Sequence, residues 1–182
     1  AVDTESEPAL REALTALADQ GLKVVVESAT DAIKPAGKKF QFSVIGSDRP
    51  GIVFEIAQEF DCDVDFHLDF LDDNSPLLLP VVIEETLKHN WHNRVCLGHM
   101  TKLAGLTTAE LTAFIPQLKE AGIAILALPA TDLYMMARED THDVRRGVAP
   151  IDRLAESGVK VGLATNNVQN LFTPFGDGDV LK

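Results

Sequence analysis

Apolar positions along the chain switch repeatedly between a spacing of three to four residues and a spacing of two, the pattern of alternating helices and strands. Leu10, Ala13, Leu14 and Leu17 recur at helical spacing between Pro8 and Gln20, and Gly21 stops the run. Leu22–Glu27 (LKVVVE) reads as a short buried strand, and Ser28–Lys39, with Asp31, Pro35 and Gly37, as a loop. Phe40, Phe42 and Val44 alternate with mostly polar neighbours, which predicts a half-buried strand over Phe40–Ile45. Ser47 or Asp48 can cap the helix that follows, and Pro50 suits its first turn; the helix runs over Ile52–Phe60. Beyond it the pattern predicts strands at Val64–Phe70, Arg94–His99, Ile123–Leu128 and Val159–Ala164. Helices are predicted between them at Leu77–His89, Thr108–Ala121 and Pro150–Ser157, the last two stopped by Gly122 and Gly158.

Strands that alternate with helices of this length imply an α/β chain with a mostly parallel sheet, covered on both faces. Six strands fall two short of a closed eight-stranded barrel, which typically takes about 250 residues. Composition narrows the function classes. Lys and Arg number 16 against 28 Asp and Glu, a net charge of −12, with no local basic stripe. Phosphate backbones and anionic membranes therefore make poor partners. The longest apolar stretches, Leu77–Ile83 and Ile123–Ala130, fall far short of the roughly twenty residues a spanning helix needs. The segment Ala1–Glu7 is acidic and lacks the layout of a signal peptide, and the cysteines are two, Cys62 and Cys96. A cytoplasmic location is expected, with both thiols as small core residues.

In parallel α/β sheets, working residues gather where strands end. DVDFHLDF places Asp65, His67 and Asp69 on one strand face by period two, a set hard to bury without a metal, a proton or water. The next strand ends in His99, and the last in Thr165-Asn166-Asn167. Imidazoles on separate strand ends can converge on a divalent metal. His89 and His92, flanking Trp91, and His142 in the charged loop AREDTHDVRR read as solvated surface. Nucleotide-binding glycine motifs and the G-x-S-x-G elbow are absent, and GDGD near the end lacks the glutamate that closes a calcium loop.

From about residue 54 onward, FEIAQEFDCDVDFHLDF, NRVCLGHMTKLAGL, AGIAILALPATDLYMM, RRGVAPIDRLAESGVKVGLATNNV and FTPFGDGDVL, in this order, resemble the cytosine-deaminase-like branch of the amidohydrolases. The resemblance implies the second half of a metal-dependent (β/α)8 barrel that hydrolyses C–N bonds in cyclic amides. It implies a divalent metal, zinc or iron, with His67 as a ligand from the fifth strand. His99 takes the place of the sixth-strand histidine that contacts the metal-bound hydroxide or the substrate. Asn166 stands where the eighth strand usually brings a metal-binding aspartate, and Phe70 where the family has a proton-shuttling glutamate. No histidine precedes His67, so the first-strand His-x-His pair has no counterpart. Asp69 is the carboxylate left for the base role.

The front of the chain, EPALREALTALADQGLKVVVESA followed by KKFQFSVIGSDRPGIV, resembles ACT-domain proteins of the glycine-cleavage repressor type. That resemblance implies an amino-acid effector at the helix start, with Asp48 and Gly51 as contacts. Asn167 is the expected ligand contact at the far end. Together the two resemblances describe a hybrid: an ACT-like α–β–β front (1–53) merged with a (β/α)4 half barrel (54–182) into one folding unit. It is expected as an open sheet or as a homodimer closing into a barrel-like body. A catalytically impaired hydrolase, an amino-acid-binding regulatory module, and a hydrolase completed by a partner chain are the functions this reading allows.

Overall fold

The computed structural model describes residues 12, 15–16, 23–25, 41–45, 50–70, 75–142, 147–165, 168–171 and 173–179. Of the first predicted helix, Glu12, Thr15 and Ala16 fall within this range and are helical. The strands are β1 (Lys23–Val25), β2 (Gln41–Ile45), β3 (Asp63–Leu68), β4 (Val95–His99), β5 (Ala124–Ala127) and β6 (Lys160–Leu163). The helices are α1 (Pro50–Glu59), α2 (Leu79–Lys88), α3 (Thr108–Ala121), α4 (Pro129–Met135) and α5 (Ile151–Glu156). Two elements are additions to the predicted set: α4, and a 3-10 helix at Thr101–Gly105 after β4. Among the described residues, no helix is long and apolar enough to cross a membrane.

The six strands form one sheet in chain order, β1 to β6, with β1 antiparallel to β2 and every later pair parallel. Each parallel crossover thus steps one strand in the same direction. Crossovers of this kind are right-handed, so unidirectional steps return the helices that pack on the sheet, α1, α2, α3 and α5, to the same face. Coverage of both faces, the expectation from pattern, would need the winding to reverse, and this order never reverses. The sheet is also open: among the described residues β6 is paired only with β5.

One core follows from this winding. Val64, Phe66 and Leu68 of β3, Val95 and Leu97 of β4 and Ile125 of β5 are buried with Val53, Phe54 and Ala57 of α1. Leu79, Val82 and Ile83 of α2 and Leu111 and Leu118 of α3 join the same cluster. The strand residues here share one parity; the other parity faces away from the helices. Helix α3 starts on a capping box, in which Thr107 accepts from the Glu110 N–H and the Glu110 carboxylate accepts from the Thr107 N–H.

On the face away from the helices, the register stacks side chains in layers across the strands. One layer brings Asp65, Cys96, Ala124 and Lys160 into line; the next brings His67, Gly98, Leu126 and Gly162. The second layer alternates large and small for a steric reason. A Cβ at Gly98 would touch the His67 ring at 3.4 Å, and one at Gly162 would lie 2.7 Å from Leu126 Cδ2. Glycine at these two positions leaves the ring and the leucine their space.

Candidate functional site

Three groups meet at the C-terminal ends of β3 and β4. His67 points away from the helices beside Asp65, its Nε2 3.2 Å from Asp65 Oδ2, with the two side chains 19% and 13% exposed. The His99 ring meets the His67 ring edge-on at 5.1 Å between centroids. His99 is paired across the ladder with Leu68, which lies in the helix-side core. Strict alternation would send its ring the same way. Instead His99 has φ 71° and Met100 φ 54°, two successive left-handed residues that turn the ring out of the strand's alternation. Such backbone is costly for residues with a Cβ, so the surrounding contacts must hold it in place.

The main contact is Asp132, in α4. His99 Nδ1 lies 2.6 Å from Asp132 Oδ1, with the two side chains 6% and 1% exposed. Asp132 Oδ2 accepts from the Leu128 N–H at 3.1 Å. Phe70 also packs on the His99 ring, tilted, at 5.1 Å between centroids. Asp132 is the residue that sequence reasoning missed. Its signal was its place five residues beyond β5, at the end of LPATD, but its partner is 33 positions away in the chain.

The other expected residues are distributed as follows. Asp69 was expected on the face of Asp65 and His67, but the strand ends at Leu68, and Asp69 has φ 51°. Its carboxylate turns to the start of α2 and accepts from the N–H groups of Leu78 and Leu79 at 3.0 Å. Gly51 lies in the first turn of α1, where a Cβ would come 3.2 Å from Glu85 Oε2. Its neighbour at that point is therefore an internal carboxylate. Asp48, Asn166 and Asn167 lie outside the described residues. His89, expected on the solvated surface, is instead packed: it stacks on Phe54 at 5.6 Å and bonds Gln58 and Glu85.

Among the described residues, no group of three His, Cys, Asp or Glu side chains is placed to hold a metal ion. Cys96, beside Asp65 in the layered face, does not extend the set. Burial, then the Asp65 charge and a hydrogen bond to Asp65, push its thiol up to about 12, against an ordinary value of 9.0. A protonated thiol is a poor metal ligand and a poor nucleophile. The described residues thus supply an imidazole pair with supporting carboxylates and no complete metal cage.

The Cys96 environment makes a test of its own. Between 9.0 and about 12 the unfolded thiol has lost its proton while the folded one keeps it. The folded state then binds more protons, so this contribution to stability is intact below 9.0 and declines as pH rises toward about 12. Urea midpoints measured at increasing alkaline pH should fall more steeply for the parent protein than for Cys96→Ala. Parallel curves would show that the thiol is not held neutral.

No protein-family model matches the chain. The pterin deaminase of Rhizobium rhizogenes (strain K84) is 32% identical over 121 residues, 66% of this chain and 28% of the relative. The N-isopropylammelide isopropyl amidohydrolase of Pseudomonas sp. (strain ADP) is 25% identical over 181 residues, 100% of this chain and 38% of that protein. The chain therefore spans well under half the length of these curated relatives. Among solved structures, the 5-methylcytosine deaminase of Klebsiella pneumoniae superposes with a TM-score of 0.69 at 25% identity, over 76% of this chain and 36% of that one. The N-isopropylammelide isopropylaminohydrolase of Burkholderia multivorans shares the fold, with a TM-score of 0.56 at 22% identity, over 71% of this chain and 30% of that one. In sequence and in fold, the proteins this chain resembles are deaminases and amidohydrolases, and its open α/β sheet matches a fragment of their barrel.

Proposed function

We propose that the chain carries part of a hydrolytic site for C–N bonds in ring compounds of the cytosine and pterin kind, and that by itself it is catalytically impaired. The observation that carries this reading is the meeting of His67 with the buried His99–Asp132 pair at adjacent strand ends. A parallel sheet presents reactive side chains at such ends. The relatives, deaminases and amidohydrolases, support the substrate class. Impairment is supported by Phe70, whose ring packs on His99 where the resemblance places a proton-shuttling glutamate. A hydrocarbon ring cannot move a proton. Asp69, the remaining candidate base, is engaged by the N–H groups of α2.

Calorimetric titration of zinc and of iron(II) into the 182-residue chain, with ammonia release from cytosine and from a pterin followed alongside, tests the proposal. Weak or no metal uptake and no turnover are expected. Turnover within the ordinary enzyme range, about 1–1,000 per second, would overturn the claim of impairment.

A second reading, a hydrolase completed by a partner chain, is favoured by the open edge at β6 and by the partly exposed Asp65 and His67. Under it, activity emerges only after mixing with a polypeptide that carries the first barrel half. For the front of the chain, the alignment with the Pseudomonas amidohydrolase extends through residues 1–53, and β2 pairs in parallel with β3. Both support reading this segment as one folding unit with the barrel strands rather than as a separate amino-acid-binding module.

A further inference from the structure

We infer that Asp132 is a positioning residue: it fixes a proton on His99 Nδ1, so that in the neutral form of the ring Nε2 is the nitrogen left as a hydrogen-bond acceptor in the site. The chemistry of the pair carries the inference. An ionised carboxylate has only acceptor sites, so the proton in the 2.6 Å contact with Asp132 Oδ1 belongs to His99 Nδ1. In a neutral imidazole the other ring nitrogen is then the acceptor. Among the described residues, no hydrogen bond to His99 Nε2 is formed.

The carboxylate is fixed independently of the histidine. Asp132 Oδ2 accepts from the Leu128 N–H at 3.1 Å, and the Asp132 N–H donates to the Leu128 carbonyl at 2.9 Å. Both bonds lie within the start of α4, so the acceptor is already in place where the left-handed turn at His99 and Met100 delivers the ring. With both side chains buried, water does not compete for the contact. The ring therefore has one orientation and one tautomer. An accepting Nε2 selects ligands that present a donor, such as the ring N–H or exocyclic amine of a cyclic amide or amidine. This last step rests on the hydrolytic reading above; the tautomer does not.

Long-range ¹H–¹⁵N correlation spectra of the histidine-labelled 182-residue protein at about pH 8 read the tautomer directly, with His99→Gln identifying the signals. The parent protein should show His99 with its proton on Nδ1. In Asp132→Asn, the amide oxygen can keep the Leu128 N–H while the amide N–H donates to Nδ1, so the proton should move to Nε2. A general loosening of the fold would give a mixture of forms rather than this reversal. A predominant Nε2–H form in the parent protein, or an unchanged Nδ1–H form in the variant, overturns the inference. If Asp132→Asn does not fold, the parent spectrum alone still decides it. Added cytosine should shift the His99 Nε2 signal. An Nδ1–H tautomer with no response to cytosine upholds the positioning role and counts against the hydrolytic reading.

Discussion

Phe66→Ala is expected to remove about 3–5 kcal/mol of folding stability, a large part of what a domain of this size has. Phe66 is fully buried in the middle of β3, with its ring 5.9 Å from that of Phe54 on α1. It lies between Val64 and Leu68 on the helix-side face, where the sheet meets the first crossover helix. Truncation exposes no surface that water can reach in the folded state, so the loss combines the transfer energy of the ring with the cavity it leaves. Each kcal/mol lowers the melting temperature by about 2–4 °C in a chain of this length. Urea denaturation of the variant should give a much lower midpoint at an unchanged slope. Leu171→Ala is the control: Leu171 is 85% exposed, and its loss should cost no more than about 0.5 kcal/mol. A difference between the two variants of less than about 1 kcal/mol would contradict the assignment of the core.

Asp69→Ala should cost about 2–3 kcal/mol, for a different reason. The Asp69 carboxylate accepts from the Leu78 and Leu79 N–H groups at the start of α2, and the residue is 6% exposed. Without it, two N–H groups at that helix start lose their acceptor, and one of these bonds is fully buried. Alanine also tolerates the left-handed backbone at φ 51° less well than aspartate does. Asp69→Asn keeps one acceptor oxygen and the backbone preference, so it should lose about half as much. Thermal unfolding of the two variants checks both the size and the order. If instead the variants unfold like the parent, the carboxylate is not an anchor of α2. The base role that the resemblance left to Asp69 would then be open again.

Much of the element order was legible because it is local. Periods of two and of three to four residues read out β3, β4, α1, α2 and α3 within a few residues. The ends of elements were harder. Asp69 has the right parity to continue β3, but a left-handed turn and two waiting N–H groups take it elsewhere. Helix α4 was missed because PATDLYM is short, with Pro129 only two residues past the strand. His89 looked solvated in a polar run, yet tertiary packing places Phe54, Gln58 and Glu85 around it. Its neighbours on α1 are about thirty positions away in the chain.

The amino-acid sequence by itself determined the six strands and the longer helices between them, that Asp65 and His67 share a face, and that His67 and His99 stand at strand ends. Those properties follow from side-chain alternation and backbone preference over a few residues. Tertiary structure alone decided that the helices gather on one face, that Asp69 anchors a helix, and that His99 turns toward His67 against a carboxylate 33 positions away. These outcomes depend on the direction of successive crossovers and on buried polar groups finding partners, and both are settled only when distant segments pack.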